Sequence, residues 1–221
     1  MASRYSPKIP TSNLVLAWDA ANPKSYPGSG TTIYDLSGNG NSGTLVNSPS
    51  FGKSTAGDTN VITVNRSAQS YINQVGTLDL STAASTVIAG TRYTNVTAGR
   101  MISAKTNNWL MGHWSTSVKT YYAEGWITAT NNGGSDTNWR IYASTNNQPS
   151  DQYTLYVNGV LEAGPSNAGS QGPSGFQVGR YHNNTNEFSD GEFSFLYVYN
   201  RILSTAELDE AYNAMRGRFN L

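Results

Sequence analysis

The chain alternates short apolar runs with clusters of turn residues. LVLAWDA (14–20) has the length and composition of a strand, and NPKSYPGSG (22–30), dense in Pro and Gly, is a loop. Strand-like runs recur at VITV (61–64), STVIAG (85–90), MISA (101–104), WLMG (109–112), KTYYAEGWIT (119–128), NWRIYAS (138–144), QYTLYVNGV (152–160), FQVGR (176–180) and GEFSFLYVYN (191–200). Turn signals separate them at roughly 8–12 residues, the spacing of sandwiches and barrels. In QYTLYVNGV, Tyr153, Leu155 and Val157 alternate with Thr154, Tyr156 and Asn158. Asn158-Gly159 then supplies the two positive-φ residues of a tight hairpin turn. GEFSFLYVYN begins as an alternation and ends apolar on both faces, which predicts a central strand buried on both sides.

One helix is predicted, at the end of the chain. Ser204 and Glu207 form a capping box, and Leu203 and Leu208 stand at the two positions of a hydrophobic staple. Leu208, Tyr212, Met215 and Phe219 fall on one helical face, and Gly217 is the expected stop. This helix is expected to pack on the sandwich. Residues 1–13, polar and holding Pro7 and Pro10, read as an N-terminal arm. No linker divides residues 14–221, so one all-β domain is expected: a two-sheet antiparallel sandwich with a short C-terminal helix.

Composition narrows the function classes. Charged residues are 13% of the 221, about half the roughly 25% usual for soluble domains. Lys+Arg and Asp+Glu both number 14, and no basic run is present, so the footprint of a nucleic-acid binder is missing. With no Cys, disulfides and thiolate metal sites are excluded. Met1–Pro10 lacks the apolar core of a signal peptide, and no stretch approaches a membrane span, so no membrane insertion is expected. A near-neutral surface rich in hydroxyl and amide groups suits neutral partners such as glycans or other shell proteins.

Several segments resemble one family. LVLAWDAANPKSYPGSGTTIYDLSGNGNSGTL (14–45), with its lead YSPKIPTSN (5–13), resembles the opening of laminin-G-like, concanavalin-A-like lectin domains of tailed-bacteriophage virion proteins. WLMGHW (109–114), YYAEGWIT (121–128), LYVNG (155–159) and FSFLYVYNRILSTAEL (193–208) resemble the family's middle strands, hairpin, closing strand and helix, in the same order. Residues 52–80 depart from it: VITVNRSAQSYI stands where a Phe-Asp-Gly stretch is common. The resemblance implies a jelly-roll fold and a virion component whose concave face or loops bind sugars.

The candidate chemistry is sparse. Glucanases of this superfamily set carboxylates along one strand face; here the nearest approach is Asp190-Gly191-Glu192 with Glu187 upstream, which reads better as a turn with solvated acids. His113 and His182 are the only histidines, with no metal-ligand spacing, and His113 reads as a strand side chain. No nucleophile elbow or phosphate loop is present, so no catalytic set is expected. Calcium takes six to eight oxygen ligands. The loop DLSGNGNSG (35–43) offers Asp35, Asn39 and Asn41, and related domains hold a structural ion near such a loop, so Ca2+ is the one cofactor expectation, with Asp19 or Asp190 as distant helpers. The alternative for that loop is a hydrogen-bonded Asx turn. Of the aromatics in the middle third, Trp126 and Trp139 sit inside strand patterns and are expected in the core. Trp114 and Tyr122 adjoin polar residues and are the candidate sugar platforms, with Asn131 and Asn183 as polar partners from neighbouring loops.

The first functional expectation is a non-enzymatic virion protein, a decoration or cement module on a phage head or tail. Its partners would be other virion proteins and further copies of itself in closed symmetry. The alternative is a receptor-binding adhesin recognising host surface glycans; a β-glucanase is the remote third.

Overall fold

A computed structural model describes residues 8–76, 78–95, 99–181 and 187–221. The strands are β1 (Leu14–Asp19), β2 (Thr32–Ile33), β3 (Gly43–Val46), β4 (Ser50–Lys53), β5 (Asn60–Val64), β6 (Tyr71–Gln74), β7 (Ala84–Tyr93) and β8 (Arg100–Ser103). They continue as β9 (Trp109–Trp114), β10 (Ser117–Ala123), β11 (Arg140–Asn147), β12 (Gln152–Val157), β13 (Val160–Ser166), β14 (Gln177–Val178) and β15 (Gly191–Tyr199). A helix α1 (Thr205–Met215) and a 3-10 turn (Arg216–Phe219) close the chain. None of the described helices is long and apolar enough to cross a membrane.

The strands form two antiparallel sheets. One runs β13-β12-β11-β7-β15-β5-β4, with β1 also paired to β15; the other runs β10-β9-β8-β14-β6-β3-β2. The expected two-sheet antiparallel jelly-roll sandwich is therefore what the chain forms. Alternation decides which side chains lie between the layers. Leu16 and Trp18 of β1, Tyr153, Leu155 and Val157 of β12, and Trp109 and Met111 of β9 all point into one core. Asn158 (φ 51°) and Gly159 (φ 76°) make the expected turn between β12 and β13.

All nine residues of β15 are buried, because both faces of its sheet are covered. The inner face meets the core. On the outer face, Phe195, Tyr197 and Tyr199 pack with Ile88, Ile141 and Ala143 against Leu208, Ala211 and Met215 of α1 and Phe219 beyond it. The large side chains among these, such as Leu208, Met215 and Phe219, contribute about 1.5–3 kcal/mol each when fully buried, so the helix is fixed by its apolar stripe. Its start is the expected capping box, with Ser204 Oγ accepting from the Glu207 amide and Glu207 accepting from the Ser204 amide. Its end differs from expectation. Gly217 lies within the 3-10 turn, and Asn220 (φ 57°) takes the left-handed closing position instead.

Residues 8–13 lie along the same helix-bearing side. Tyr199 donates its hydroxyl to the Pro10 carbonyl at 2.9 Å, Arg201 Nε donates to Ser12 O at 3.2 Å, and Ile9 packs against the outer cluster.

Two strand expectations change. KTYYAEGWIT is not one strand: β10 stops at Ala123, since Glu124 (φ 53°) turns left-handed and Gly125 reverses the chain. Strands β2, β3, β4 and β6 were not predicted: TI is only two residues, and GTLV, SFGK and YINQ lack the apolar run that marked VITV and MISA.

Candidate functional site

The helix covers the outer face of the eight-stranded sheet. Among the described residues no helix lies on the outer face of the seven-stranded sheet, and an aromatic pocket lies there. On β9, Trp109, Met111 and His113 turn inward, which sends Leu110 and Trp114 outward. A register shift against β8 falls between Met111 and Trp114. Gly112 (φ +91°) lies between them, and a Cβ there would meet the Tyr142 ring at 2.8 Å. Cross-strand pairing then sets Tyr122 of β10 opposite Leu110, and Arg100 of β8 opposite Trp114.

Trp126 completes the group. The reversal at Glu124-Gly125 folds it back onto Tyr122, with which it forms an isolated bridge. Its ring lies 4.9 Å from those of both Trp114 and Tyr122, inclined at 55° and 64°. Gly125 is required here, because a Cβ would fall 1.7 Å from the Ala168 carbonyl oxygen. Trp114, Tyr122 and Trp126 are all half-buried, so each keeps part of its ring toward solvent. With Arg100, Asn108 and Leu110 they line a pocket of about 240 Å³.

The polar wall is an ordered network. Arg100, 5% exposed, donates from Nε to Glu187 Oε2 at 2.5 Å and from Nη1 to Asn108 Oδ1 at 2.7 Å. Its guanidinium lies 3.8 Å from the centre of the Tyr181 ring, a cation–π stack. The Asn108 amide donates to Glu124 Oε1 at 2.8 Å. Burial lowers the Arg100 pKa and raises that of the Tyr181 hydroxyl. The aromatic wall and the polar wall thus meet in one place, the composition of a small-ligand site.

The predicted site residues divide. The structure brings Trp114 and Tyr122 into one pocket. Asn131 sits exposed in the loop beside the β10 edge and does not line the pocket. Asn183, like His182, lies outside the described residues. Trp126 was expected in the core and instead forms the third aromatic wall, because the chain reverses before it. Trp139 is buried as expected, stacked on Phe219 with centroids 4.3 Å apart. The sequence reading did not bring Arg100 and Asn108 to the pocket, nor Tyr181 and Glu187 to Arg100; no local motif announces them, since they converge from separate segments of the chain. The Glu124-Gly125 pair within an aromatic run was the available signal for Trp126.

The calcium expectation does not fit its residues. Asp35 Oδ1 accepts from the Ala17 and Ser37 amides at 2.8 and 2.9 Å, and Oδ2 accepts from Ser37 Oγ and the Asn41 amide at 2.7 and 3.0 Å. Four donors aimed at one carboxylate already occupy its lone-pair sites. The Asn39 and Asn41 side-chain amides donate to the Leu14 and Val15 carbonyls, stitching the loop to β1. Asp19 is bound by Arg218, and Asp190 accepts from the Arg66 amide. The loop is the Asx-type turn, and among the described residues no group of three His, Cys, Asp or Glu suited to a metal ion occurs. The acids considered for catalysis have different partners. Glu192 is buried against Arg92 at 2.9 Å, while Glu187 pairs with Arg100 on the other sheet. His113 is fully buried among Thr91, Tyr93 and Tyr142.

No protein-family model and no curated protein sequence matches the chain. Solved structures do match in fold. The binding domain of Paraclostridial Mosquitocidal Protein 1 superposes with a TM-score of 0.66 at 17% identity, over 92% of this chain and 52% of that one. Domain 4 of AbnA, a GH43 extracellular arabinanase from Geobacillus stearothermophilus solved with arabinotriose, gives 0.64 at 16%, over 90% and 98%. A Trypanosoma rangeli sialidase gives 0.61 at 14%, over 93% and 33%. The chain thus spans about half of the mosquitocidal binding domain, a third of the sialidase and nearly all of the arabinanase domain. At these identities the likeness is one of fold: the chain is a two-sheet antiparallel β-sandwich of the jelly-roll type.

Proposed function

We propose that the chain is a non-catalytic carbohydrate-recognition module whose contact site is the pocket of Trp114, Tyr122 and Trp126. The observation behind this reading is the meeting of three solvent-facing aromatic rings with Arg100 and Asn108 in one pocket of about 240 Å³. Drug-sized ligands fill clefts of about 300–1,000 Å³; this smaller one suits a single sugar ring. The apolar face of the sugar stacks on an aromatic ring, and its hydroxyls meet the guanidinium and amide. The arabinanase domain of the same fold and extent, solved with a trisaccharide, supports the reading. One ring in one shallow pocket binds weakly, with a Kd of about a millimolar, and copies displayed together raise the avidity.

The setting proposed is the surface of a tailed-phage virion, where several copies assemble. That part rests on the resemblance of residues 14–45 to virion lectin domains. A decoration role and a host-adhesion role then coincide in one protein. The test is a glycan array probed with the folded chain and with Trp114→Ala and Trp126→Ala. The reading expects binding that both substitutions abolish. Binding that neither substitution alters would reject this pocket, and no binding to any glycan would reject the function.

A further inference from the structure

We infer that the pocket selects uncharged sugars and discriminates against acidic ones, with Glu187 as the residue that sets this preference. The inference rests on the carbohydrate reading of the pocket and names its ligand class.

A buried arginine beside aromatic rings would ordinarily be a receptor for a carboxylate or sulfate, since its planar fork matches them. Arg100 is 5% exposed and lines the pocket, so it is the group that an acidic sugar would seek. Its charge is already met. Glu187 Oε2 lies 2.5 Å from Nε, and the Glu187 side chain is itself only 28% exposed. A second carboxylate stands close by: Glu124 Oε1 accepts from the Asn108 amide, and Asn108 Oδ1 accepts from Arg100 Nη1. Glu187, Arg100, Asn108 and Glu124 thus stand in one chain of hydrogen bonds, with Tyr181 stacked on the Arg100 guanidinium. One cation and two carboxylates leave it with a net charge of −1.

An incoming carboxylate therefore meets two like charges and an arginine held by its own partner. Displacing Glu187 would leave one carboxylate half-buried and unpaired, which is unfavourable. A hydroxyl or ring oxygen faces no such cost. A guanidinium has five N–H donors, and Glu187 and Asn108 take two of them among the described residues. Polarised by that ion pair, the rest of the fork donates to neutral oxygen without a change of charge. Specificity here comes from what the site repels as well as from what it holds.

The experiment compares matched probes on the intact chain: oligosaccharides ending in glucose, galactose or arabinose against those ending in glucuronate, galacturonate or sialic acid. The expected result is neutral binding tighter than acidic binding by about tenfold or more at low salt. In Glu187→Gln the gap narrows to about threefold or less, because Arg100 gains an open charge and acidic probes bind more tightly. The wild-type ratio decides the matter even if Glu187→Gln folds poorly, and its melting curve reports that. Wild type that prefers acidic probes, or binds both classes alike, overturns the inference and leaves the carbohydrate reading standing. Wild type that binds neither class overturns both.

Discussion

The carboxylate of Asp19 in β1 accepts two hydrogen bonds of 2.8 Å from the guanidinium of Arg218, in the turn after α1. A third comes from the Tyr197 hydroxyl at 3.1 Å. The pair ties the first strand to the end of the chain, and the Asp19 side chain is only 6% exposed. Removing Arg218 leaves that carboxylate buried without its cation. Arg218→Ala is expected to cost about 3 kcal/mol of stability, read as a lowered urea midpoint with an unchanged slope. Arg218→Lys, which lacks the two-pronged geometry, should recover part of the loss. An Arg218→Ala midpoint equal to wild type would show that the pair contributes nothing.

His113 gives the fold a dependence on acid. Burial pushes its pKa down to about 3. The folded chain keeps the ring neutral, while in the unfolded chain it titrates near its ordinary 6.5. Below that pH the unfolded state takes up a proton that the folded state refuses. Stability therefore falls as pH drops from about 6.5 toward 3, by up to about 1.4 kcal/mol per pH unit from this group. Unfolding free energies at pH 7 and pH 5 should show the slope, and His113→Gln should flatten it. An equal slope in the variant would assign the dependence to other groups.

Much of this fold was legible because its strands obey a period of two, and Tyr153, Leu155 and Val157 turn inward as their spacing requires. The capping box of Ser204 and Glu207 was equally plain, since its geometry is local. The pocket was half legible. Trp114 and Tyr122 stood out by their polar neighbours, yet Trp126 looked like a strand residue until the left-handed Glu124 turned it back. Arg100 and Glu187 are 87 residues apart in sequence and meet only through sheet packing. No pattern of residue types along a chain encodes such a meeting.

Gly125 should control the pocket without touching a ligand. Its missing side chain leaves room for the Ala168 carbonyl, which a Cβ would approach to 1.7 Å. Backbone cannot yield as a flexible side chain would, so Gly125→Ala must move the turn and Trp126 with it. Glycan affinity is expected to fall about tenfold, equivalent to about 1.4 kcal/mol, with a red shift of tryptophan emission. Unchanged affinity would mean that the position of Trp126 does not matter for binding.

Asp35 should behave as a structural hub and not as a metal ligand. It accepts four hydrogen bonds, two of them from the amides of Ala17 and Asn41. Asp35→Ala is expected to cost about 3 kcal/mol, since hydrogen bonds to a charged group are lost and donors are stranded. Millimolar calcium is expected to leave the wild-type melting temperature within about 1 °C, because a ligand stabilises only the state it binds. A calcium-dependent rise that Asp35→Ala removes would refute this account.

The packing of α1 gives the molecule a front and a back. Residues 8–13 and Leu221 both rest on the helix-bearing layer, whereas the three rings of the pocket lie on the opposite layer. A surface that held residues 8–13 or Leu221 would thus meet the helix-bearing layer. The layer that carries the three rings would point away from that surface.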